Sequence, residues 1–367
     1  MKVPFVDLSA THSEIAEELR SAIDRVFASS AFTGGPAVDE FETKFAKYCG
    51  TKYCVAVGSG TAALEILLRA YEIGPGDEVV LPANTFVATI EAISLVGAKP
   101  VLVDVRDNTA NLDPELLAAA VGDKTRAIIP VHLYGQPVEM EPIIELARRQ
   151  GIVVIEDACQ AHGAMIVGKR VGSIADAAAF SFYPVKNLGA CGEAGGITTD
   201  DTQVAKRARM LRDHGSNRKY YHQIVGRNDR IDGIQASILN VKLDHLDRWN
   251  KQRRRIADTY SNGLKDKSRV RLLAVADGCD HVYHLYVVQV ANRDRLRTRL
   301  LEHEIATGIH YPVPLHLQAA YAGLGYQKGE FPVSERLAKE IVSLPMYPQL
   351  QPNQVDFVLS KLIEFVE

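Results

Sequence analysis

Hydrophobic residues along the chain form short continuous runs that alternate with longer segments of helical spacing. The runs are rich in valine, isoleucine and alanine, and occupy residues 53–57, 78–81, 100–104, 126–131, 152–155 and 177–182. In the segments between them, apolar residues recur every three or four positions, as in 61–72, 86–96 and 139–149. Such alternation is typical of a parallel sheet buried on both faces. The pattern therefore predicts an α/β protein with a mostly parallel central sheet flanked by helices.

The pattern of apolar and polar residues changes after about residue 235. A long helical stretch is followed by two strand-like segments and two further helical segments, at 232–262, 268–274, 281–290, 291–304 and 353–366. A chain of 367 residues is long enough for about two domains. We therefore predict a large domain over residues 1–245 and a smaller α+β domain over residues 246–367.

Composition and charge exclude several classes of protein. The net charge is −3, so the chain lacks the basic surface of proteins that bind nucleic acid or anionic membranes. The five cysteines are odd in number and none forms a CxxC pair, so we expect neither a disulfide framework nor a metal site. Because no apolar run is long enough for a membrane span and the first residues have no apolar signal region, we expect a cytoplasmic protein.

Two charged residues follow neighbouring apolar runs. Asp157 comes two residues after the run at 152–155, and Lys186 follows the run at 177–182 within SFYPVKNLGACGEAGG. The carboxyl ends of parallel strands meet at the edge of the sheet where ligands bind. Apolar flanks lower the proton affinity of a lysine, which makes its amine a usable nucleophile. Each residue also has a structural alternative. Asp157 could cap a helix, although the adjacent carboxylate of Glu156 would repel it. Lys186 could be a surface lysine whose amine reaches the solvent.

A third feature is GSGT at residues 58–61, at a junction between a strand and a helix. The free backbone N–H groups at the start of a helix, together with its dipole, favour phosphate. The motif is neither GxGxxG nor GxxxxGK[ST], and on its own it could be an ordinary tight turn. A phosphate seat, a carboxylate and a desolvated lysine together match pyridoxal 5′-phosphate, with Phe86 placed to cover its ring or, alternatively, to fill the core.

The sequence resembles the DegT/DnrJ/EryC1/StrS family of nucleotide-sugar aminotransferases, which have the fold type I scaffold of the aspartate-aminotransferase superfamily. The resemblance runs nearly end to end. Its matching segments are PFVDL (4–8), FTGGPAVDEFE (32–42), GSGTAAL (58–64), GPGDEVVLPANTFVAT (74–89), GAKPVLVDV (97–105), IIPVHLYGQP (128–137), IEDACQAHGA (155–164), SFYPVKNLGACGEAGG (181–196), HGSNRKYYH (214–222), VGRNDRIDGIQASIL (225–239) and HYPVPLHLQ (310–318).

This resemblance implies a role for each matching residue. Lys186 would form the Schiff base with the cofactor and move the proton, and Asp157 would pair with the pyridine nitrogen. Asn228 resembles the asparagine that reaches the phosphate from the neighbouring subunit, which implies a homodimer with shared active sites. The other implied cofactor contacts are Gly60, Thr61 and Ser181 at the phosphate, Gln160 at the phenolic oxygen and Phe86 on the ring.

The implied reaction takes an amino group from L-glutamate and gives it to a nucleotide-linked keto sugar, with a dTDP- or UDP-linked 3-keto sugar as the nearest match. A 4-keto sugar or a cyclitol ketone is the alternative substrate. A sugar dehydratase is an alternative reaction, although that branch has histidine where Lys186 stands. The candidate sugar contacts, each of which could instead be a solvated loop residue, are Tyr183, His214, Arg218, Tyr220, Tyr221, His310, Tyr311 and His316.

An alternative from another functional class is a DNA-binding regulator. The basic run KQRRR at 251–255 would then be the contact with DNA. The net charge of −3 and the lack of a helix-turn-helix with a basic face argue against this hypothesis. We expect the run to form one solvated side of the long helix.

Overall fold

The computed structural model describes residues 1–366. Their helices are α1 Leu8–Glu14, α2 Ala16–Ser29, α3 Pro36–Cys49, α4 Gly60–Ala70, α5 Val87–Leu95, α6 Leu117–Ala120, α7 Met140–Gln150, α8 Thr202–Arg212, α9 Gly233–Leu264, α10 Arg293–Glu302, α11 Pro332–Glu340 and α12 Pro352–Val366. Their strands are β1 Tyr53–Val57, β2 Glu78–Pro82, β3 Lys99–Val103, β4 Thr125–Ile128, β5 Val153–Asp157, β6 Met165–Ile166, β7 Lys169–Arg170, β8 Ala177–Ser181, β9 Gly195–Thr199, β10 Ser216–Arg218, β11 Tyr221–His222, β12 Arg271–Leu272, β13 Cys279–Asp280, β14 Tyr286–Gln289 and β15 Ile341–Leu344.

The buried apolar runs pair into one seven-stranded sheet of order β1-β9-β8-β5-β4-β2-β3. Strands β8, β5, β4, β2 and β3 are parallel, whereas β9 runs antiparallel to both of its neighbours. Alternate residues of β1 point to opposite faces: Val55 and Val57 pack in the core that contains α4, and Cys54 and Ala56 pack in the core that contains α3. Both faces are therefore covered, which explains why the strands read as continuous apolar runs.

The strand register brings three sequence motifs to one edge of the sheet. Asp157, the last residue of β5, pairs with Ala179 of the parallel strand β8, so the carboxyl ends of these strands are adjacent. Gly195 pairs with Ser181 at the end of β8 and with Val57 at the end of β1. The turns after β1, β5 and β8 consequently meet at one place.

A second layer is built from the C-terminal part of the chain. Strands β12, β14 and β15 form an antiparallel sheet, and the core beside it includes apolar residues of α9, α10 and α12. Val3 also belongs to this core and forms a bridge to Ile305. Helix α9 is continuous from Gly233 to Leu264, so the predicted boundary between residues 245 and 246 lies inside a helix. That boundary stays a prediction.

The basic run at 251–255 differs in part from its expectation. Lys251 and Arg255 are exposed, but Arg253 is only 4% exposed. Its Nη1 donates to the main-chain oxygens of Tyr283 at 3.1 Å and of Met346 at 3.1 Å. The expectation of a solvated run is therefore wrong for Arg253, which cross-links α9 to the chain that precedes β14.

None of the helices between residues 1 and 366 combines the length and the apolar character that crossing a bilayer requires.

Candidate active site

Asp157 is the last residue of β5, and its carboxylate is fixed by hydrogen bonds. The residue is 5% exposed. Its Oδ2 accepts from the Thr89 hydroxyl at 2.8 Å, and its Oδ1 accepts from the Cys159 N–H at 3.2 Å. The Thr89 hydroxyl in turn lies 3.0 Å from that of Thr85, which must be the donor because the single Thr89 proton is already committed. Turns rather than a helix follow Asp157, so it is not a helix cap.

The neighbouring carboxylate, Glu156, points to the opposite face of the sheet. It is fully buried and accepts from three backbone N–H groups within residues 172–175, at 2.9–3.0 Å. It also accepts from Nε2 of His132 at 3.0 Å, because Nδ1 of that ring accepts from the Val138 N–H. Side-chain alternation along β5 therefore resolves the repulsion expected between Glu156 and Asp157.

Lys186 lies in the turn that follows β8. Its backbone N–H donates to the Tyr183 carbonyl at 2.9 Å, which closes the turn. Burial lowers the pKa of the Lys186 ammonium, while the charges of Cys159 and Asp157 act in the opposite direction. The amine therefore loses its proton more readily than an exposed lysine does, which is what a nucleophilic amine needs.

The start of α4 forms a close-fitting seat beside Lys186. Ser59 caps the helix by accepting the Ala62 N–H at 3.1 Å. A Cβ atom on Gly60 would lie 2.7 Å from Cβ of Ser181 and 2.9 Å from Sγ of Cys159, so only glycine fits between these elements. Thr61 follows in the first turn and is partly exposed. The first N–H groups of this eleven-residue helix are available to an anion.

Aromatic and amide side chains among the candidate site residues contact one another. Phe86 is 50% exposed, so it is not a core residue, and its ring lies 5.4 Å from that of Tyr311. Oε1 of Gln160 accepts from the Tyr134 N–H at 2.7 Å, and its Nε2 donates to the Tyr311 hydroxyl at 3.1 Å. Gln160 is thus held in place between two aromatic residues.

His310 is held near the same amine. Its Nδ1 lies 2.8 Å from the Ser343 hydroxyl, and the Tyr134 hydroxyl donates to its main-chain oxygen. Burial, together with the positive charges of Lys186 and Arg297, lowers the pKa of His310 to about 4. Of the candidate sugar contacts near the amine, Tyr183 is 46% exposed, whereas His310 and Tyr311 are only partly exposed.

The other candidate sugar contacts lie apart from this group. His214, Arg218 and Tyr221 are exposed in and beside the β10–β11 hairpin, where the Arg218 guanidinium lies 4.8 Å from the centre of the Tyr221 ring. Tyr220 in the same hairpin is 80% exposed. Asn228 is also exposed and forms a bridge to Asp213. The hairpin residues and Asn228 are therefore exposed to solvent on this single chain.

His316 differs from the other candidates because it has no open face. It is 3% exposed, and its Nε2 lies 3.1 Å from Oε1 of Glu335. Its ring packs at 4.7 Å from that of Phe331. These contacts account for His316 within the protein core.

The arrangement fits pyridoxal 5′-phosphate. The seat at Gly60 can take a phosphate, the Asp157 carboxylate can hold a protonated ring nitrogen, and the exposed face of Phe86 can cover a ring. Lys186 supplies the amine that such a cofactor requires. Among residues 1–366, no group of three or more His, Cys, Asp or Glu side chains is placed to hold a metal ion.

Comparison with known proteins assigns the chain to a family. The model of the DegT/DnrJ/EryC1/StrS aminotransferase family matches residues 13–363. The chain belongs to this family. The predicted resemblance, the fold type I architecture and the aminotransferase reaction are thereby confirmed.

Individual relatives of this aminotransferase match it over nearly their whole length. It is 47% identical to a protein of Geobacillus stearothermophilus named pleiotropic regulatory protein, over 100% of this chain and 99% of the relative. It is 46% identical to the dTDP-3-amino-3,6-dideoxy-α-D-galactopyranose transaminase of Aneurinibacillus thermoaerophilus, over 97% and 98%. The crystal structure of Streptomyces venezuelae DesV in complex with a ketimine intermediate matches with a TM-score of 0.98 at 44% identity, covering 100% of this chain and 99% of that one.

The cofactor prediction is also confirmed. Solved structures of similar chains include forms with pyridoxal phosphate and pyridoxamine phosphate. The residues at the carboxyl edge of the sheet, described above, are those that suit this cofactor.

Sequence reasoning did not find every residue that shapes the site of this aminotransferase. Thr89 fixes the Asp157 carboxylate, and its position three residues after Phe86 in a predicted helix could have indicated a shared face. Tyr134 contacts Gln160 from a backbone of φ 60°, a conformation that no sequence signal indicates for tyrosine.

Proposed function

We propose that this aminotransferase converts a dTDP- or UDP-linked 3-keto sugar into the corresponding amino sugar, with L-glutamate as the amino donor. The observation that carries the proposal is the meeting of the Lys186 amine and the Asp157 carboxylate at the ends of two adjacent parallel strands. The relatives named for dTDP-3-amino sugars and for 3-oxo sugars linked to UDP support this substrate class.

The residues around the carboxylate hold the cofactor. When bound, pyridoxal phosphate supplies an electron sink for the charge left at the α-carbon of the donor. Asp157 would keep the ring nitrogen protonated, and its hydrogen bonds from Thr89 and Cys159 prevent the carboxylate from turning away. The N–H groups of Gly60 and Thr61 and the Ser181 hydroxyl would hold the phosphate.

Lys186 performs the proton transfers. Because burial lowers its pKa, its amine is more often unprotonated at neutral pH than that of an ordinary lysine. Its amine would take the proton from the α-carbon of the donor and give it up again within the same site. Phe86 would cover the ring and exclude water, and Gln160, fixed between Tyr134 and Tyr311, would hold the phenolic oxygen.

Two sets of side chains contact the sugar nucleotide. Tyr183, His310 and Tyr311 lie beside the amine and suit the hydroxyls of the sugar. His214, Arg218 and Tyr221 form a cationic and aromatic surface on an exposed hairpin, which suits a diphosphate and a base. His316 supports the segment that carries His310 and Tyr311 rather than contacting the sugar itself, because its ring is buried.

The working unit is a homodimer in the cytoplasm. Asn228 and the β10–β11 hairpin are exposed on a single chain. In the dimer, both reach the active site of the second copy and complete it. The five cysteines are free, which agrees with a reducing compartment.

One experiment tests the substrate class. The pyridoxamine phosphate form of the enzyme is mixed with 3-keto and 4-keto sugars linked to dTDP or UDP, and with a cyclitol ketone. A 3-keto sugar should restore the near-visible absorbance of the lysine-bound cofactor and appear as an amino sugar by mass spectrometry. Restoration by a 4-keto sugar or a cyclitol ketone alone would contradict the 3-keto assignment, and a deoxy product without nitrogen would indicate a dehydratase.

A further inference from the structure

Asn187, the residue after Lys186, is buried and uses all of its side-chain amide. It is 6% exposed. Its Nδ2 donates to Oδ1 of Asn250 at 2.9 Å and to the Val282 main-chain oxygen at 3.0 Å. Its Oδ1 accepts from Nδ1 of His284 at 3.2 Å, since both amide protons are already donated. This burial removes Asn187 from contact with a substrate.

The partners of Asn187 belong to two other parts of the chain. Asn250 lies on α9, and its Nδ2 donates to the His162 main-chain oxygen at 2.8 Å, in the turn that follows Asp157. Arg253 lies one helical turn further on the same face of α9, and it donates to the main-chain oxygens of Tyr283 and His284. Helix α9 therefore holds both the segment 282–284 and the turn after β5.

His284 keeps one form within this network. Burial lowers the pKa of His284 well below its ordinary value, and the positive charges of Lys186 and Arg253 act in the same direction. The ring is therefore neutral, with its proton on the Nδ1 that faces Asn187. The network holds a single arrangement of donors and acceptors across neutral pH.

We propose that Asn187 is a positioning residue, which ties the turn carrying Lys186 to α9 and to the segment 282–284 so that the amine stays at the site of proton transfer. Without the side chain of Asn187, Oδ1 of Asn250 and the main-chain oxygen of Val282 lose their hydrogen-bond donor. The turn then keeps its main-chain bonds from Lys186 to Tyr183 and from Ala190 to Phe182, and the bond from Nζ of Lys242 on α9 to the Gly189 oxygen. None of these bonds ties it to the segment 282–284. The inference rests on the proposed function, because it concerns the proton transfers assigned to Lys186.

The proposal predicts a loss in the rate of turnover rather than in binding. A displacement of a reacting group by about 1 Å can cost about 100-fold in rate. Asn187→Ala should therefore lower kcat about 10- to 100-fold, with the KM for glutamate nearly unchanged. Asn187→Asp keeps the shape but places an acceptor against the oxygens of Asn250 and Val282, and it should lower kcat at least as much.

The test uses the pure holoenzyme and three readouts. They are kcat and KM for glutamate, the isotope effect with α-deuterated glutamate, and the pH titration of the absorbance of the cofactor joined to Lys186. Asn240→Ala is the matched control, because Asn240 is an equally buried asparagine on α9 whose Nδ2 donates to Ala37. Asn250→Ala breaks the same bond from the α9 side and leaves the lysine turn unchanged.

Both Asn187 variants and Asn250→Ala should show a larger isotope effect and a displaced spectral titration, whereas Asn240→Ala should show neither. An unchanged titration and isotope effect in all three would overturn the proposal, as would equal losses in the Asn240 variant. The spectral titration needs no amino donor. If the wild-type enzyme showed a normal spectrum but no reaction with glutamate, the proposed donor would fail, and the role of Asn187 would still be decided by the titration.

Discussion

Gly60→Ala tests the cradle at the start of α4. The added Cβ would lie 2.7 Å from Cβ of Ser181 and 2.9 Å from Sγ of Cys159, where ordinary contact begins at 3.4 Å. The start of α4 and the end of β8 would have to separate by at least about 0.7 Å. Cβ of Ser181 is bonded directly to the backbone and cannot move away by side-chain rotation, so the backbone must move.

The magnitude follows from the cost of overpacking. Extra carbon atoms in a packed region cost about 1–3 kcal/mol. A glycine changed to alanine inside a helix normally stabilises it by up to about 1 kcal/mol, so the sign of the effect is itself a test. The phosphate needs the N–H groups at their original positions, so the overpacking cost should also weaken cofactor binding. A loss of about 1–3 kcal/mol corresponds to a Kd about 5- to 150-fold higher.

The assay measures denaturant unfolding of the cofactor-free protein and the absorbance titration with pyridoxal phosphate. Gly323→Ala is the control, because nothing lies within 4 Å of the Cβ it would add and its φ is not positive. Gly60→Ala should lower the free energy of unfolding and weaken the cofactor, and Gly323→Ala should do neither. Equal behaviour of the two variants would refute the reasoning.

Three further substitutions separate chemistry from stability. Asp157→Asn should leave unfolding within about 1 kcal/mol, because the Thr85 and Thr89 hydroxyls can reverse direction, but should slow transamination about 10- to 150-fold. Glu156→Gln should lower the free energy of unfolding in urea by about 1–3 kcal/mol, because the side-chain NH₂ group would face backbone N–H donors. The cofactor spectrum of this variant should be retained. Lys186→Met should stabilise the cofactor-free protein at neutral pH. In the wild type, Lys186 gives up its proton more readily in the folded chain than in the unfolded chain, so the free energy of unfolding rises with pH between the lowered pKa and 10.5. Unfolding curves of the variant taken across that pH range should lack this rise.

The frame of the site could be predicted because it depends on local signals. The apolar runs that predict the strands carry Asp157 and Lys186 at their ends, and parallel pairing alone brings the two turns together. The Gly-rich junction before α4 is equally local. Composition and spacing therefore indicated the cofactor before any contact was known.

What could not be predicted depends on contacts between distant parts of the chain. The partners of Asn187 lie on α9 and beside β14, and no pattern near residue 187 indicates them. Arg253 stands in a run that looks solvated, yet it is buried because carbonyl groups of another segment accept its protons. Strand β9 enters the sheet antiparallel between β1 and β8, which its short sequence does not show. Burial and pairing of this kind are decided by the tertiary fold.

The central claim is that Lys186 is the lysine that carries the cofactor. Borohydride reduction of the holoenzyme fixes the cofactor to its lysine, and mass spectrometry of the digested protein identifies the residue. Lys242 is the internal competitor, since it is 3% exposed and burial lowers its pKa as well. We predict one modified peptide, with the cofactor on Lys186 and none on Lys242. A cofactor found on Lys242 or on any lysine other than Lys186 would contradict the account.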